Sequence, residues 1–184
     1  MIILPPYNSI IQQIETSFTK EKQVSWKVLR LDLIDEIIGG NKLFKLKYNL
    51  EVAKQSGLPV LTYGGAFSNH IIATAKACSL NNISSIGIIR GERTTELNHV
   101  LKAAEEFGMK LHFVSREEYR RRGEHEFQTE LKEKFGEHFI IPEGGGNNLG
   151  VTGCIEILKP IKEEFDFVFV PVGSGGTLAG LALS

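Results

Sequence analysis

The sequence predicts an α/β protein, with parallel β-strands flanked by helices. Three observations carry that expectation. Short runs rich in β-branched and aromatic residues alternate with stretches whose apolar residues recur at three- and four-residue spacing, the two patterns that mark strands and amphipathic helices. The glycines, 19 in all, cluster at the joints between these segments, as Gly39-Gly40, Gly64-Gly65, Gly144-Gly145-Gly146 and Gly173-Ser174-Gly175-Gly176. The 184 residues, 42% of them hydrophobic, supply one ordinary core or two small ones.

In chain order, strands are expected over 25–33, 60–63, 85–89, 110–114, 138–141 and 166–171. Helices are expected over 42–55, 69–80, 94–107 and 116–135, with a further one starting near Thr177. A helix between consecutive strands carries the chain back across the sheet. Neighbouring strands then run parallel, and ligand sites fall at the strand carboxyl ends, where the helices begin. Arg116, Arg120, Arg121 and Arg122 read as a solvated helix face, because Glu117 and Glu118 are interleaved with them. Leu178, Leu181 and Leu183 begin an apolar helix stripe with no C-cap before Ser184, so the chain is expected to be part of a longer protein.

Composition excludes several classes of partner. With 21 Lys+Arg against 22 Asp+Glu and no basic block, the chain has no electrostatic grip for nucleic acid or an anionic membrane. Its apolar runs, such as 167–172, fall far short of the roughly 20 residues of a membrane span. Residues 1–7 lack the charged and apolar regions of an export signal, so none is expected. Cys78 and Cys154 lie far apart and outside any C-x-x-C spacing. They fit buried thiols in a reducing, cytoplasmic compartment, with neither a disulfide nor a metal site. A small molecule remains as the expected partner.

Three loops carry candidate chemistry. In Gly39-Gly40-Asn41-Lys42-Leu43-Phe44-Lys45, Asn41 is placed to cap a helix whose Leu43, Leu46, Leu50 and Ala53 face the core. Lys42 and Lys45 then share the other side. A helix N-terminus and a second ammonium both disfavour charge on Lys42, and a neutral amine attacks carbonyl carbon, as a Schiff-base lysine must. Two solvated lysines on a surface helix are the plain alternative. In Tyr63-Gly64-Gly65-Ala66-Phe67-Ser68-Asn69-His70, Ser68 is placed to cap the next helix, whose first N–H groups would suit a carboxylate. Asn69 adds an amide donor, and Ser68 and His70 add groups for proton transfer or attack; a capping serine beside a half-buried histidine is the plain alternative. In Val172-Gly173-Ser174-Gly175-Gly176-Thr177, successive glycine N–H groups and two hydroxyls form a nest for phosphate oxygens. It is neither a Walker loop nor a dinucleotide fingerprint, whose third glycine would fall at Leu178. A glycine turn chosen only for close packing is the alternative there.

Together the loops call for one object bearing an aldehyde, a phosphate and an amino acid carboxylate. The GGNK at 39–42 followed by Lys45, the SNH at 68–70, the stretch from 140 to 153 with IPEGGGNNLGVTG at 141–153, and the VGSGGTLAGL at 172–181 resemble the 1-aminocyclopropane-1-carboxylate deaminase and D-cysteine desulfhydrase family. That family belongs to the tryptophan-synthase-β-like, fold type II, pyridoxal phosphate enzymes. The resemblance runs from about residue 25 to the end. It implies pyridoxal 5'-phosphate as cofactor and two α/β subdomains: a small one over 41–138, and a larger one formed by 1–40 and 139–184 with its C-terminal part missing. It implies that Lys42 carries the cofactor, that Lys45, Gly173, Ser174, Gly175, Gly176 and Thr177 hold its phosphate, and that Asn69 bonds the ring 3-oxygen. Ser68, Asn69 and His70 would receive the substrate carboxylate, with Ser68 also catalytic.

The implied activity is deamination or lysis of a small amino acid, 1-aminocyclopropane-1-carboxylate or D-cysteine, to a 2-oxo acid and ammonia, by a homodimer. A non-catalytic phosphate-ligand module, or racemisation or β-replacement on the same apparatus, stands as the alternative. Two departures are notable: Phe44 replaces the arginine usual in GGNKxRK, and His70 matches the desulfhydrase-like members where the deaminases tend to have glutamine, which tilts the reading toward D-cysteine.

Overall fold

A computed structural model describes residues 2–184. The chain opens with an antiparallel pair, β1 (Ile11–Ile14) and β2 (Trp26–Leu29), connected through the short helix α1 (Ser17–Glu21). After a turn over 31–33 come α2 (Asn41–Ser56), β3 (Val60–Gly65), α3 (Asn69–Leu80), β4 (Ser85–Arg90), α4 (His99–Glu106) and β5 (Met109–Val114). Then follow α5 (Arg116–Arg120), α6 (His125–Phe135), β6 (Phe139–Ile141), α7 (Asn148–Cys154) and α8 (Gly176–Ala182). The sheet order is β5-β4-β3-β6, and every pairing in it is parallel, with Val60 beside Ser85 on one flank and Phe139 on the other.

Helices cover both faces, as a parallel sheet requires. On one side Leu46, Leu50 and Ala53 of α2 pack with Val60, Ala73, Ala77, Ile141 and Cys154. On the other, Leu61, Tyr63, Ile86 and Ile88 pack with Tyr119, Phe127 and Leu131. Leu46, Leu50, Leu61 and Ile88 are fully buried, and each large aliphatic side chain so buried contributes about 1.5–3 kcal/mol. The expected parallel sheet flanked by helices is therefore present. Both cysteines are free and buried, and burial pushes the Cys78 thiol up to about 12. Among the described residues no helix is long and apolar enough to cross a membrane, and no cluster of metal-ligating side chains occurs.

The structure departs from the sequence expectations in six places. The strand expected over 25–33 is the shorter β2, and its partner is β1, whose Ile-Gln-Gln-Ile alternation is too brief to stand out. The helix expected from 94 begins at His99, because the Asn98 side chain accepts from the Val100 and Leu101 amides and fixes the start there. The helix over 116–135 breaks into α5 and α6 around a 3-10 turn at Arg121–Gly123, after which Glu124 is extended.

The strand over 166–171 does not form. A strand needs a neighbour's hydrogen-bond ladder, no described segment offers one, and Phe167 and Phe169 stay 80% and 90% exposed. Helix α7 was not expected, because Gly150 and Gly153 interrupt any helical pattern there. Both serve close approach: a Cβ on Gly153 would sit 1.9 Å from the Phe44 carbonyl oxygen. Asn41 lies inside α2, and Gly40, at φ 67, holds the cap position.

Candidate functional site

The first turns of α2, α3 and α8 meet the loop after β6 around one cavity of about 380 Å³. Of the residues expected to act, Lys42, Lys45, Ser68, Asn69 and His70 line it from the α2 and α3 side. Gly173, Ser174, Gly175 and Thr177 line it from the α8 side. Gly176 does not line it but is buried just behind, where a Cβ would approach the Lys45 Nζ to 3.5 Å. Residues more than a hundred positions apart thus share one cavity, and its volume falls within the 300–1,000 Å³ of small-molecule sites.

Lys42 Nζ donates to its neighbour's Asn41 Oδ1 at 2.9 Å. Burial lowers its pKa first and the Lys45 charge second, with Cys154 acting weakly in the other direction. The expectation of a lowered pKa holds, but its leading cause is desolvation, which sequence reasoning did not weigh. Lys45 is only 3% exposed and also has a lowered pKa through burial. Its Nζ donates to the Gly144 carbonyl at 3.1 Å and to Ser174 Oγ at 3.3 Å, so one amine clasps the loop after β6 to the glycine loop before α8. Asn41 Nδ2 adds a second clasp by donating to Thr177 Oγ1 at 2.8 Å. At the head of α8, Gly175 has φ 80, a left-handed conformation natural to glycine, and so turns the loop into the helix.

Ser68 occupies the N-cap position of α3, but its side chain makes no capping bond. Its hydroxyl is therefore not committed to the helix, and the helix's first amides remain without intrahelical partners. Gly64 allows this arrangement, since a Cβ there would lie 2.5 Å from Ile71 Cγ1 and 2.9 Å from Ser68 Oγ.

His70 is more enclosed than the half-buried residue expected. At 2% exposure its pKa is lowered to about 3, by burial first and by Lys42 and Lys45 next. Thr62 Oγ1 donates to the Ile141 carbonyl at 2.8 Å, so at the 2.9 Å contact with His70 Nε2 it must accept. With that hydroxyl accepting, the neutral His70 imidazole donates from Nε2; Nδ1 meets no partner at ordinary hydrogen-bond length, and the Pro142 carbonyl is the backbone group that acts on the ring.

Sequence reasoning missed four contributors. Glu143 and Gly144 line the cavity, and Glu143 pairs with Arg122 at 3.2 Å. Asn147 and fully buried Asn49 exchange amide bonds at 2.8 and 3.1 Å, which fixes α7 against α2. The Glu-Gly-Gly-Gly-Asn-Asn run carried the signal, since polar residues among clustered glycines mark a constrained loop. Phe44, at the family's arginine position, is 3% exposed and packs edge-on against Tyr7 at 4.8 Å, so it belongs to the core.

Comparison with known proteins agrees with this geometry. The family described as pyridoxal-phosphate dependent enzyme matches residues 17–184. The bifunctional D-cysteine desulfhydrase/1-aminocyclopropane-1-carboxylate deaminase, mitochondrial, of Arabidopsis thaliana is 34% identical over 175 residues, which covers 85% of this chain and 44% of that one. A putative 1-aminocyclopropane-1-carboxylate deaminase of Thermotoga maritima is 38% identical over 164 residues, covering 84% and 52%. Among solved structures, an ACC deaminase homologue superposes with a TM-score of 0.81 at 30% identity, covering 99% of this chain and 57% of that one. An O-ureido-L-serine synthase, at 16% identity and a TM-score of 0.69, shares the fold. The chain spans about half the length of the curated relatives it matches.

Proposed function

We propose that this chain, which belongs to the family of pyridoxal-phosphate dependent enzymes, forms the cofactor-facing half of a deaminase or lyase acting on a small amino acid. The substrate would be D-cysteine or 1-aminocyclopropane-1-carboxylate. One observation carries the reading: a half-buried lysine amine of lowered pKa, Lys42, lines the same cavity as the glycine loop 173–177.

The residues fit pyridoxal phosphate. An amine of lowered pKa suits its aldehyde, the Gly173–Thr177 loop with Ser174 Oγ and Lys45 Nζ suits its phosphate, and Asn69 would meet the ring oxygen. Bound there, the cofactor supplies an electron sink for the substrate α-carbon. The chain's own residues do the rest. Lys42 keeps an amine ready because burial and Lys45 disfavour its charge. Ser68 Oγ stands uncommitted at the start of α3, where the helix amides receive a substrate carboxylate and the hydroxyl holds or passes a proton. His70 offers an unprotonated Nδ1 as acceptor, and Thr62 keeps it in that tautomer.

The division into a small unit over 41–138 and a larger one over 1–40 and 139–184 belongs to the same proposal, with β6 hydrogen-bonded into the sheet of the small unit. So do a homodimer, by likeness to the family, and a cytoplasmic location, by the two buried thiols. The test is absorbance of the complete protein loaded with pyridoxal phosphate, followed by sulfide and 2-oxo acid assays on D-cysteine, 1-aminocyclopropane-1-carboxylate and D-serine. A visible-edge band with sulfide release from D-cysteine is expected. A colourless protein indifferent to the cofactor would refute the reading.

A further inference from the structure

The arginines that read from sequence as a solvated helix face do not all behave as one. Arg121 is spent on Glu124, Glu126 and Glu130. Arg116, Arg120 and Arg122 instead join Arg90, the last residue of β4, in walling a second cavity of about 370 Å³ around Tyr119. Its position is the carboxyl edge of the sheet, since β4 ends at Arg90 and α5 begins two residues after β5. Ligands bind at such edges in parallel α/β folds.

Charge in this cavity is unbalanced. Arg122 pairs with Glu143 at 3.2 Å, but among the described residues Arg90, Arg116 and Arg120 form no ion pair. Glu118 of α5 is held in a capping box with Ser115, and Glu117 makes no ion pair. Like charges gathered in one concavity repel, and a multivalent anion relieves that repulsion.

A second, independent feature points to a ligand. The Tyr119 hydroxyl is buried, its residue 2% exposed and lining the cavity; no partner lies within ordinary hydrogen-bond distance of it, and burial, together with the nearby Glu143 carboxylate that Arg122 holds, pushes its pKa up. A buried polar group left unsatisfied costs about 1–3 kcal/mol, and a bound oxygen would satisfy it. The Tyr119 ring is already covered by the guanidinium groups of Arg90 and Arg122, 5.4 and 5.0 Å from its centroid. Those guanidinium groups compete with a base or other flat ligand for the ring.

We propose that this cavity binds a compact phosphoryl polyanion. Guanidinium groups arriving from a strand end, a helix and a turn need oxygens spread over a tetrahedron and at least two negative charges, which a single planar carboxylate lacks. The proposal does not rest on the cofactor reading, because it uses none of the residues of the first cavity except the Glu143 that Arg122 holds.

The experiment is calorimetric titration of inorganic pyrophosphate into the protein at low salt, with citrate and acetate as carboxylate controls. Arg116 and Arg120 are exposed, so Arg116→Gln/Arg120→Gln should fold normally. Each lost charge-assisted contact is worth about tenfold, so the double variant should bind at least tenfold more weakly. Ser174→Ala/Thr177→Val, which alters the phosphate cradle of the other cavity, should leave the affinity of the arginine-dependent site unchanged. A two-site isotherm in which the arginine substitutions remove one site and Ser174→Ala/Thr177→Val weakens the other would also support the proposal. Loss confined to Ser174→Ala/Thr177→Val would place the anion in the glycine loop and overturn it. Equal affinity in all variants, no binding at all, or citrate as tight as pyrophosphate would each overturn it too.

Discussion

Replacing Gly153 by alanine tests how tightly the site's scaffold is packed. The added methyl would lie 1.9 Å from the Phe44 carbonyl oxygen and 2.7 Å from its carbon, where ordinary contact begins at 3.4 Å. Backbone cannot swing aside as a side chain does, so α7 must move off α2. Overpacking of this kind costs about 1–3 kcal/mol, and a clash with backbone belongs at the top of that range; better helix propensity returns up to about 1 kcal/mol. A net loss of roughly 2 kcal/mol lowers the melting temperature by about 4–8 °C in a domain of this size. Thermal unfolding followed by circular dichroism reads it, with Gly123→Ala as control, because no heavy atom lies within 4 Å of a Cβ there. The control should shift by less than about 0.5 kcal/mol. A Gly153→Ala protein that melts with the parent would show that α2 and α7 are not in the described contact.

Three further outcomes are expected. Because the His70 pKa falls to about 3 on folding, the unfolded chain binds more protons over the window from its ordinary value of about 6.5 down to 3; stability is therefore full above that window and declines by up to about 1.4 kcal/mol per pH unit on acidification. Denaturant titrations at several pH values should show that slope, and His70→Gln should flatten it; an unchanged slope in the variant would assign it to other groups. Asn147→Ala removes the α7 cap to Gly150 and strands the buried Asn49 amide, at a cost of about 2–4 kcal/mol in urea unfolding, whereas a loss below 1 kcal/mol would contradict the paired-amide geometry. Thr62→Val leaves the His70 Nε2 proton and the Ile141 carbonyl without their partner, so a destabilisation of about 1–3 kcal/mol is expected, and a neutral result would count against the assigned tautomer.

The alternation of strands and helices was legible because each central element carries its own signal. Val60–Gly65 and Ser85–Arg90 are continuous apolar runs, and α2 and α3 hold apolar residues at helical spacing between glycine joints. The gathering of Lys42, Ser68 and Ser174 was legible for the related reason that helices following parallel strands all start on one edge of the sheet. What failed depended on partners. Residues 166–171 have a strand's composition but no ladder to join, and α7 has a loop's composition but glycines that let it lie on α2 at Gly153 and on the loop after β6 at Gly150. The burial of His70 and Lys45 follows from the loop after β6 closing over them, and no local pattern reports that. The arginine cavity was illegible because Arg90 reaches it from another strand, and the break at Arg121–Gly123 separates Arg121 from its neighbours.

The central claim is that one particular amine, Lys42, has its charge disfavoured by burial and by Lys45 and faces the phosphate cradle. Borohydride reduction of the protein loaded with pyridoxal phosphate, followed by peptide mapping, tests it most directly. The account predicts a stable pyridoxyl group on Lys42, abolished by Lys42→Ala and retained in Lys76→Ala. Label on Lys45, or label spread over surface lysines and unaffected by Lys42→Ala, would contradict it.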